Sequence, residues 1–251
     1  MNPRVFLACA AAALALAGCN KDKGQASGSA APESDVKITM ASPPPGGTWA
    51  DVANATTDGI MMGNPNAKVK LVEIGSLFCP VCKRFEEEGV PTLINKYVKS
   101  GDVSWEFRPY LIHGAVDMAA NLVARCNGPK TFFPLSQALY ADQEKLLSAV
   151  QGAPQEKVTQ IQNLPTNQVF VEMAKLMGLQ DWAAARGVPV AKSNQCLSNE
   201  QMINREVEIT SNVNSQYPEF KGTPSFILNG SLLPETSNWA TLQPKLDAAL
   251  K

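Results

Sequence analysis

The segment from Leu71 to Arg84, LVEIGSLFCPVCKR, sets an apolar run directly ahead of two cysteines, Cys79 and Cys82, with two residues between them. The run begins at Ala67, just after Gly63-Asn64-Pro65-Asn66, a turn signal, and its composition predicts a central strand. Past the cysteines, Phe85, Val90, Leu93, Ile94 and Tyr97 recur at helical spacing. Gly101 ends that helix, and Pro91, which lacks a backbone donor, should kink it. Val103, Trp105 and Phe107 then alternate onto one face, as in a second strand. Strand, helix, strand in this order implies a parallel pair with a right-handed crossover.

From about 115 to 215 the chain has helical character, punctuated by Pro129, Pro134, Pro154, Pro165 and Pro189. Thr166 is a candidate helix cap, and Ser198 with Gln201 fits a capping box. After Thr223-Pro224, SFILNG predicts a short strand closed by an Asn-Gly turn, with SLLP pairing back as a hairpin. A terminal amphipathic helix should carry Trp239, Leu242, Leu246 and Leu250 on one face. The expectation is an α/β domain over 58–251, with a helical block inserted at about 115–215.

The amino terminus is expected to lie outside that domain. Residues 1–18 have a short basic start and an apolar stretch from Val5 to Ala17, shorter than the about twenty residues a membrane-spanning helix needs. This predicts a secretory signal. Leu16-Ala17-Gly18-Cys19 resembles the lipobox of bacterial lipoproteins, which implies cleavage before Cys19 and lipidation of its thiol. The rest of 19–57 is rich in Lys, Gly, Ser, Ala and Pro and is expected to be a flexible tether, with a typical reach of about 30 Å. The chain is then expected on the periplasmic side of a bacterial membrane, anchored at Cys19. A formal charge of -1, with no long run of either sign, gives no footprint for nucleic acid.

With Cys9 in the signal and Cys19 acylated, four cysteines remain: Cys79, Cys82, Cys126 and Cys196. An even number in an exported chain favours disulfides, partitioned as one close and one distant pair. Two cysteines at i and i+3 where a helix begins have unequal chemistry. The first lies among unsatisfied N–H groups at the positive end of the helix, which stabilises a thiolate; the second sits one turn on and less exposed. Cys79 is thus the attacking thiol and Cys82 the resolving one. A zinc site would need four ligands, and only His113 and two scattered cysteines remain to complete it. As a staple, so short a loop would contribute little entropy. Redox exchange, with no metal and no cofactor, is the expected chemistry.

GNPNAKVKLVEIGSLFCPVC, ARCNGPKTFF and KGTPSFILNG together resemble the thioredoxin-fold DsbA-like thiol:disulfide interchange proteins over about 58–251. The resemblance implies a mixed sheet flanked by helices with an inserted helical domain, and a protein thiol:disulfide oxidoreductase. It implies that Cys79 and Cys82 are the redox pair, that Thr223-Pro224 is a cis-proline loop facing them and binding substrate, and that Glu73 is a buried acid beneath the disulfide that relays protons. It further implies a non-catalytic disulfide between Cys126 and Cys196, a second redox pair being the alternative.

One departure stands out. Where many such oxidases have Cys-Pro-His-Cys, this chain has Cys79-Pro80-Val81-Cys82, and valine brings no charge toward the Cys79 sulfur. A less stabilised thiolate predicts a more reducing couple than in a histidine-containing relative. Expected partners are cysteine-containing exported proteins and a membrane or soluble redox partner. Disulfide formation is the expected direction, with isomerisation or reduction as alternatives. Two other classes stay open: a binding module for unfolded segments, and a copper chaperone, although that class generally has three residues between its cysteines. His113, the sole histidine, is expected to be satisfied or solvated unless the fold brings it to Cys79. Glu86 to Glu88 are expected on a solvated helix face.

Overall fold

The computed structural model describes residues 41–251; the expected signal at 1–18, the lipidation site Cys19 and the tether residues up to 40 lie outside the described residues. No helix among the described residues is long and apolar enough to cross a membrane.

The expected central strand forms as β3 (Val69–Gly75), and its alternation sets the two faces of the sheet. Val69 and Leu71 point into the main core, and Glu73, two residues on, shares that face. Ile74 points the other way, into a small second core with Val213 and Ile227. β4 (Val103–Pro109) runs parallel to β3, with Leu71 beside Trp105 and Glu73 beside Phe107. β5 (Ser225–Leu228) flanks β3 antiparallel on its other side and continues into β6 (Ser231–Leu232) as a hairpin.

Two short strands not expected from the sequence, β1 (Ala53–Ala55) and β2 (Ile60–Met62), extend the sheet past β4 to give the order β1-β2-β4-β3-β5-β6. β1 lies inside the segment assigned to the tether, 19–57. The sheet therefore begins before residue 58, because Ala53–Ala55 finds an antiparallel partner in Ile60–Met62.

The helix after the cysteines is broken rather than bent. α1 (Pro80–Glu88) stops at Gly89, α2 (Val90–Thr92) carries Pro91 in its first turn, and a π-helical stretch (Leu93–Val98) completes the crossover. Phe85 of α1 meets Phe226 of β5 edge-on, with ring centroids 4.8 Å apart, and approaches Trp239 at 6.5 Å. Trp239 opens the terminal helix (Trp239–Leu250), whose Leu242, Leu246 and Leu250 are buried as the spacing predicts.

The inserted block comprises α3 (Ala115–Arg125), α4 (Pro129–Ala141), α5 (Gln143–Gln151), α6 (Gln155–Gln162), α7 (Thr166–Leu176), α8 (Leu179–Ala184), α9 (Val190–Leu197) and α10 (Glu200–Gln216). α3 is its axis, with every residue from Val116 to Ala124 buried and α4, α7 and α9 packed around it. α4 reaches back to pack on α1, β1 and β2, and α10 on β4, so the insertion reaches both faces of the sheet, Phe133 against Trp105 on one and Val213 against Ile74 and Ile227 on the other. Two expected caps fall elsewhere. Pro165, not Thr166, precedes α7, and Asn199 rather than Ser198 caps α10, accepting from the Met202 N–H. Asn199 lies one residue nearer the helix, where its side-chain oxygen reaches a free N–H of the first turn.

Candidate active site

β3 ends at Gly75, where the chain turns tightly through Ser76, Leu77 and Phe78 to reach Cys79. A side chain at Gly75 would stand 2.6 Å from the Phe107 ring and 3.0 Å from Glu73 Oε1, so only glycine fits here. The Cys79 N–H donates to the Ser76 carbonyl at 3.1 Å, and the Ser76 hydroxyl accepts from the Phe78 N–H at 3.2 Å. Cys79 is the N-cap of α1 and Pro80 its first residue, a position that needs no N–H. The Cys79 carbonyl accepts both the first helical bond from Lys83 and a bond from Gln143 Nε2, at 3.0 and 3.2 Å.

The two sulfurs are free thiols in unequal surroundings. Cys79 is 4% exposed and Cys82 fully buried. The neighbouring Cys82 thiol lowers the Cys79 pKa to about 5, against the cost of burial; the Thr223 side chain and the N–H groups of Cys82 and Val81 assist. Burial pushes the Cys82 thiol well up instead, aided by Cys79 and by the carboxyl of Glu73. One turn of helix thus holds a ready thiolate above a reluctant one.

Thr223-Pro224 is a cis peptide, and its loop lies against this pair. The Cys79 thiol donates to the Thr223 carbonyl at 3.3 Å, and the buried Thr223 hydroxyl has no hydrogen-bond partner among the described residues. Beside the loop runs a groove of about 640 Å³ lined by Val81, Thr223, Pro224, Leu232, Leu233 and Pro234. Val81 is among the few large apolar side chains left exposed.

Beneath the pair, Glu73 is 2% exposed. Burial raises its pKa well above the ordinary carboxylate value, Glu86 and Cys79 add to the rise, and the Trp105 indole holds it back. The Trp105 N–H is buried and makes no formal hydrogen bond among the described residues, so its help is partial. Glu86 departs from the expected solvated face. It is half-buried under α4, desolvation lifts its pKa to about 7, and Gln137 tempers that rise. Glu87 and Glu88 are exposed. Two carboxyls therefore share one low-dielectric space below Cys82.

Glu86, Gln143 and Tyr140 carry no sequence signal that marks them as parts of this site. Tyr140 donates to the Ser76 carbonyl at 3.2 Å, and Gln143 also donates to Leu77 at 3.0 Å; both come from the insertion. Cys126 and Cys196 are bonded to each other, with Cα atoms 5.8 Å apart, in the insertion.

A family model described as Thioredoxin matches residues 55–248, and the chain belongs to that family. The crystal structure of a protein-disulfide isomerase from Novosphingobium aromaticivorans is 30% identical and superposes with a TM-score of 0.71, covering 80% of this chain and 99% of that one. Wolbachia pipientis alpha-DsbA1 shares the fold at 16% identity and a TM-score of 0.60, over 81% and 96% of the two chains. A Rickettsia bellii protein named as a candidate protein-disulfide oxidoreductase is 26% identical over 194 residues, 76% of this chain; the match spans 64% of the relative's length.

Proposed function

We propose that the protein is a thiol:disulfide oxidoreductase acting on cysteines of exported proteins, with disulfide formation as its net direction. The observation that carries this is the opposed tuning of two thiols one helical turn apart: Cys79 acidified to about 5, Cys82 pushed up. A thiolate of low pKa is a good leaving group, which favours the reduced pair and makes its disulfide an oxidant.

In the oxidising direction a substrate thiolate attacks Cys79 in the Cys79–Cys82 disulfide. The S–S bond breaks, and Cys82 leaves as a thiolate that takes a proton, for which the buried Glu73, whose carboxyl acts on Cys82, is the proposed donor. A second substrate thiolate then attacks the substrate sulfur of the mixed disulfide, closing the substrate disulfide and expelling Cys79. Two electrons now reside on the pair, and a partner disulfide or membrane-bound oxidant must remove them. Thr223 lies where an extended substrate would pair its main chain, and the apolar groove beside Val81 suits the flanking side chains. Cys126–Cys196 acts as a structural bridge. With a secretory signal at 1–18 and a lipid on Cys19, the enzyme works from the periplasmic face of a membrane.

The test is trapping. Cys82→Ser protein mixed with a cysteine peptide activated as its thionitrobenzoate mixed disulfide should form a peptide–Cys79 disulfide with release of one thionitrobenzoate thiolate, and Cys79→Ser protein should not. Equilibration with glutathione then gives the direction: a potential near about -120 mV means oxidation, and one near about -270 mV means reduction. Absence of any mixed disulfide, with sluggish alkylation at Cys79, would end the proposal.

A further inference from the structure

His113 lies 34 residues beyond Cys79 in sequence, yet it is built into the turn that presents that cysteine. Between β4 and α3, Gly114 adopts φ 54°, a value that suits glycine and lets the chain reverse immediately after His113. The reversal places His113 over the first turn of α3, where Asp117 is fully buried. Asp117 Oδ2 accepts the His113 N–H at 2.7 Å and lies 3.2 Å from His113 Nδ1. Asp117 Oδ1 accepts the Ser76 hydroxyl at 2.8 Å, and that hydroxyl is 3.4 Å from the same imidazole nitrogen. The Ser76 carbonyl in turn accepts the Cys79 N–H. A carboxylate, an imidazole and a hydroxyl thus converge on the turn that begins at Ser76 and ends at the reactive sulfur. The imidazole is about one-third exposed, and its carboxylate is not.

We infer that His113 is a positioning residue for the Cys79 thiolate: clamped by Asp117 and Ser76, its imidazolium supplies the positive charge that Val81 fails to bring between the two cysteines. The inference rests on the thiol:disulfide reading above. Asp117, through its hydrogen bond and its charge, and more weakly the Cys79 thiolate both raise the His113 pKa, against partial burial. Linkage makes this reciprocal: whatever the thiolate contributes to the imidazolium, the imidazolium returns to the thiolate. The groups that touch the imidazole are Asp117 from α3 and the neutral Ser76, and Cys79 at the start of α1 acts on it through space as the smallest contribution. Tyr140 of α4 reaches the same turn through the Ser76 carbonyl, and Glu73 lies on the far side, beneath Cys82.

The sign fixes the pH behaviour. Below the His113 pKa the imidazolium supports the thiolate; as pH rises through that pKa the support is lost and the thiolate becomes more basic. A more basic thiolate is also more nucleophilic, by about threefold per pKa unit. The alkylation rate of reduced full-length protein should therefore show two inflections, one as Cys79 ionises and a smaller one as His113 loses its proton. His113→Gln should remove the second inflection and raise the Cys79 pKa by about one unit, the scale of a nearby opposite charge. The equilibrium with glutathione should shift about tenfold toward the disulfide, equivalent to about 30 mV. His113→Lys, which keeps the charge, should recover most of that shift.

A second measurement leaves His113 in place. It is the sole histidine, so its ring signal in untagged protein can be titrated by NMR without ambiguity. Its pKa should be higher in the reduced than in the oxidised protein. Cys79 profiles that coincide in wild type and His113→Gln overturn the inference, as does a His113 pKa indifferent to redox state. If the glutamine variant does not fold, the ring titration decides alone. If wild type fails to exchange with glutathione while the ring titration still follows the thiolate, the enzymatic reading falls and the pairing stands.

Discussion

The two cysteine pairs of this chain sit at opposite ends of helices. Cys79 is the N-cap of α1, where N–H groups converge on its sulfur. Cys126 is the C-cap of α3 and Cys196 lies in the last turn of α9, where carbonyls converge instead. The 126–196 pair is also the more accessible of the two, both its residues being half-buried, whereas Cys79 is nearly covered and Cys82 wholly so. Exposure alone would therefore rank these sulfurs in the reverse of the order proposed for their reactivity. Local donors and charges rank them better: a thiolate is welcome at one helix end and opposed at the other. The first pair is suited to exchange, the second to staying closed.

The sharpest way to break this contrast is to delete the first sulfur of the near pair and, separately, both sulfurs of the distant one. Cys79→Ser should abolish exchange with glutathione altogether. The double replacement Cys126→Ser with Cys196→Ser should leave exchange and potential close to wild type. If instead it silences exchange, the distant pair relays electrons and the contrast fails. The same double variant should lose stability, up to about 4 kcal/mol in the chain-entropy model for a loop of this length. A denaturation midpoint that does not move would mean the insertion stays closed without its bridge.

Glu73 sharpens the comparison from below. Its raised pKa means that above the ordinary carboxylate value the folded protein still holds a proton which the unfolded chain has released. Stability must then fall as pH climbs from the ordinary carboxylate value toward the raised one. Glu73→Gln should flatten that slope and raise the melting temperature near pH 7.5 by a few degrees, the equivalent of about 1 kcal/mol, with little change near pH 4. Glu86 should leave a residual slope from about pH 4.5 up to about pH 7. Alongside, the step at which Cys82 gains or loses its proton should slow, seen as longer-lived mixed disulfide. A variant no more stable than wild type at pH 7.5 would mean that Glu73 has access to water.

How much of this was legible beforehand follows the range of the interactions. β3, β4 and the terminal helix announce themselves because their burial repeats every two or three to four residues, and so does the strand–turn–helix that carries Cys79. β1 has three residues and no period to detect. Glu86 belongs to a run of three glutamates, and only the arrival of α4 takes it out of water. The Ser76–His113–Asp117 cluster joins residues 37 and 41 positions apart through a reversal at one glycine. A sequence displays each of those residues, but their meeting depends on where the insertion folds back. If His113 supports the thiolate as inferred above, the cost of Val81 to the couple is smaller than the cysteine motif alone implies.

Val81→His is the gentlest test. Without His113, placing an imidazole at this position should move the couple appreciably toward oxidation. With His113 clamped nearby, the new charge joins one already present. It also stands on a side chain that is 37% exposed, where water and salt screen it. The expected gain is about threefold in the glutathione equilibrium, smaller than the loss expected from His113→Gln. Combining the two substitutions should raise the effect of Val81→His, because the second imidazole then acts on an unsupported sulfur and the two changes cease to be additive. Equal effects of Val81→His in both backgrounds would mean that the two positions act on Cys79 independently. No effect in either would mean that a charge at position 81 does not act on the Cys79 sulfur in this fold.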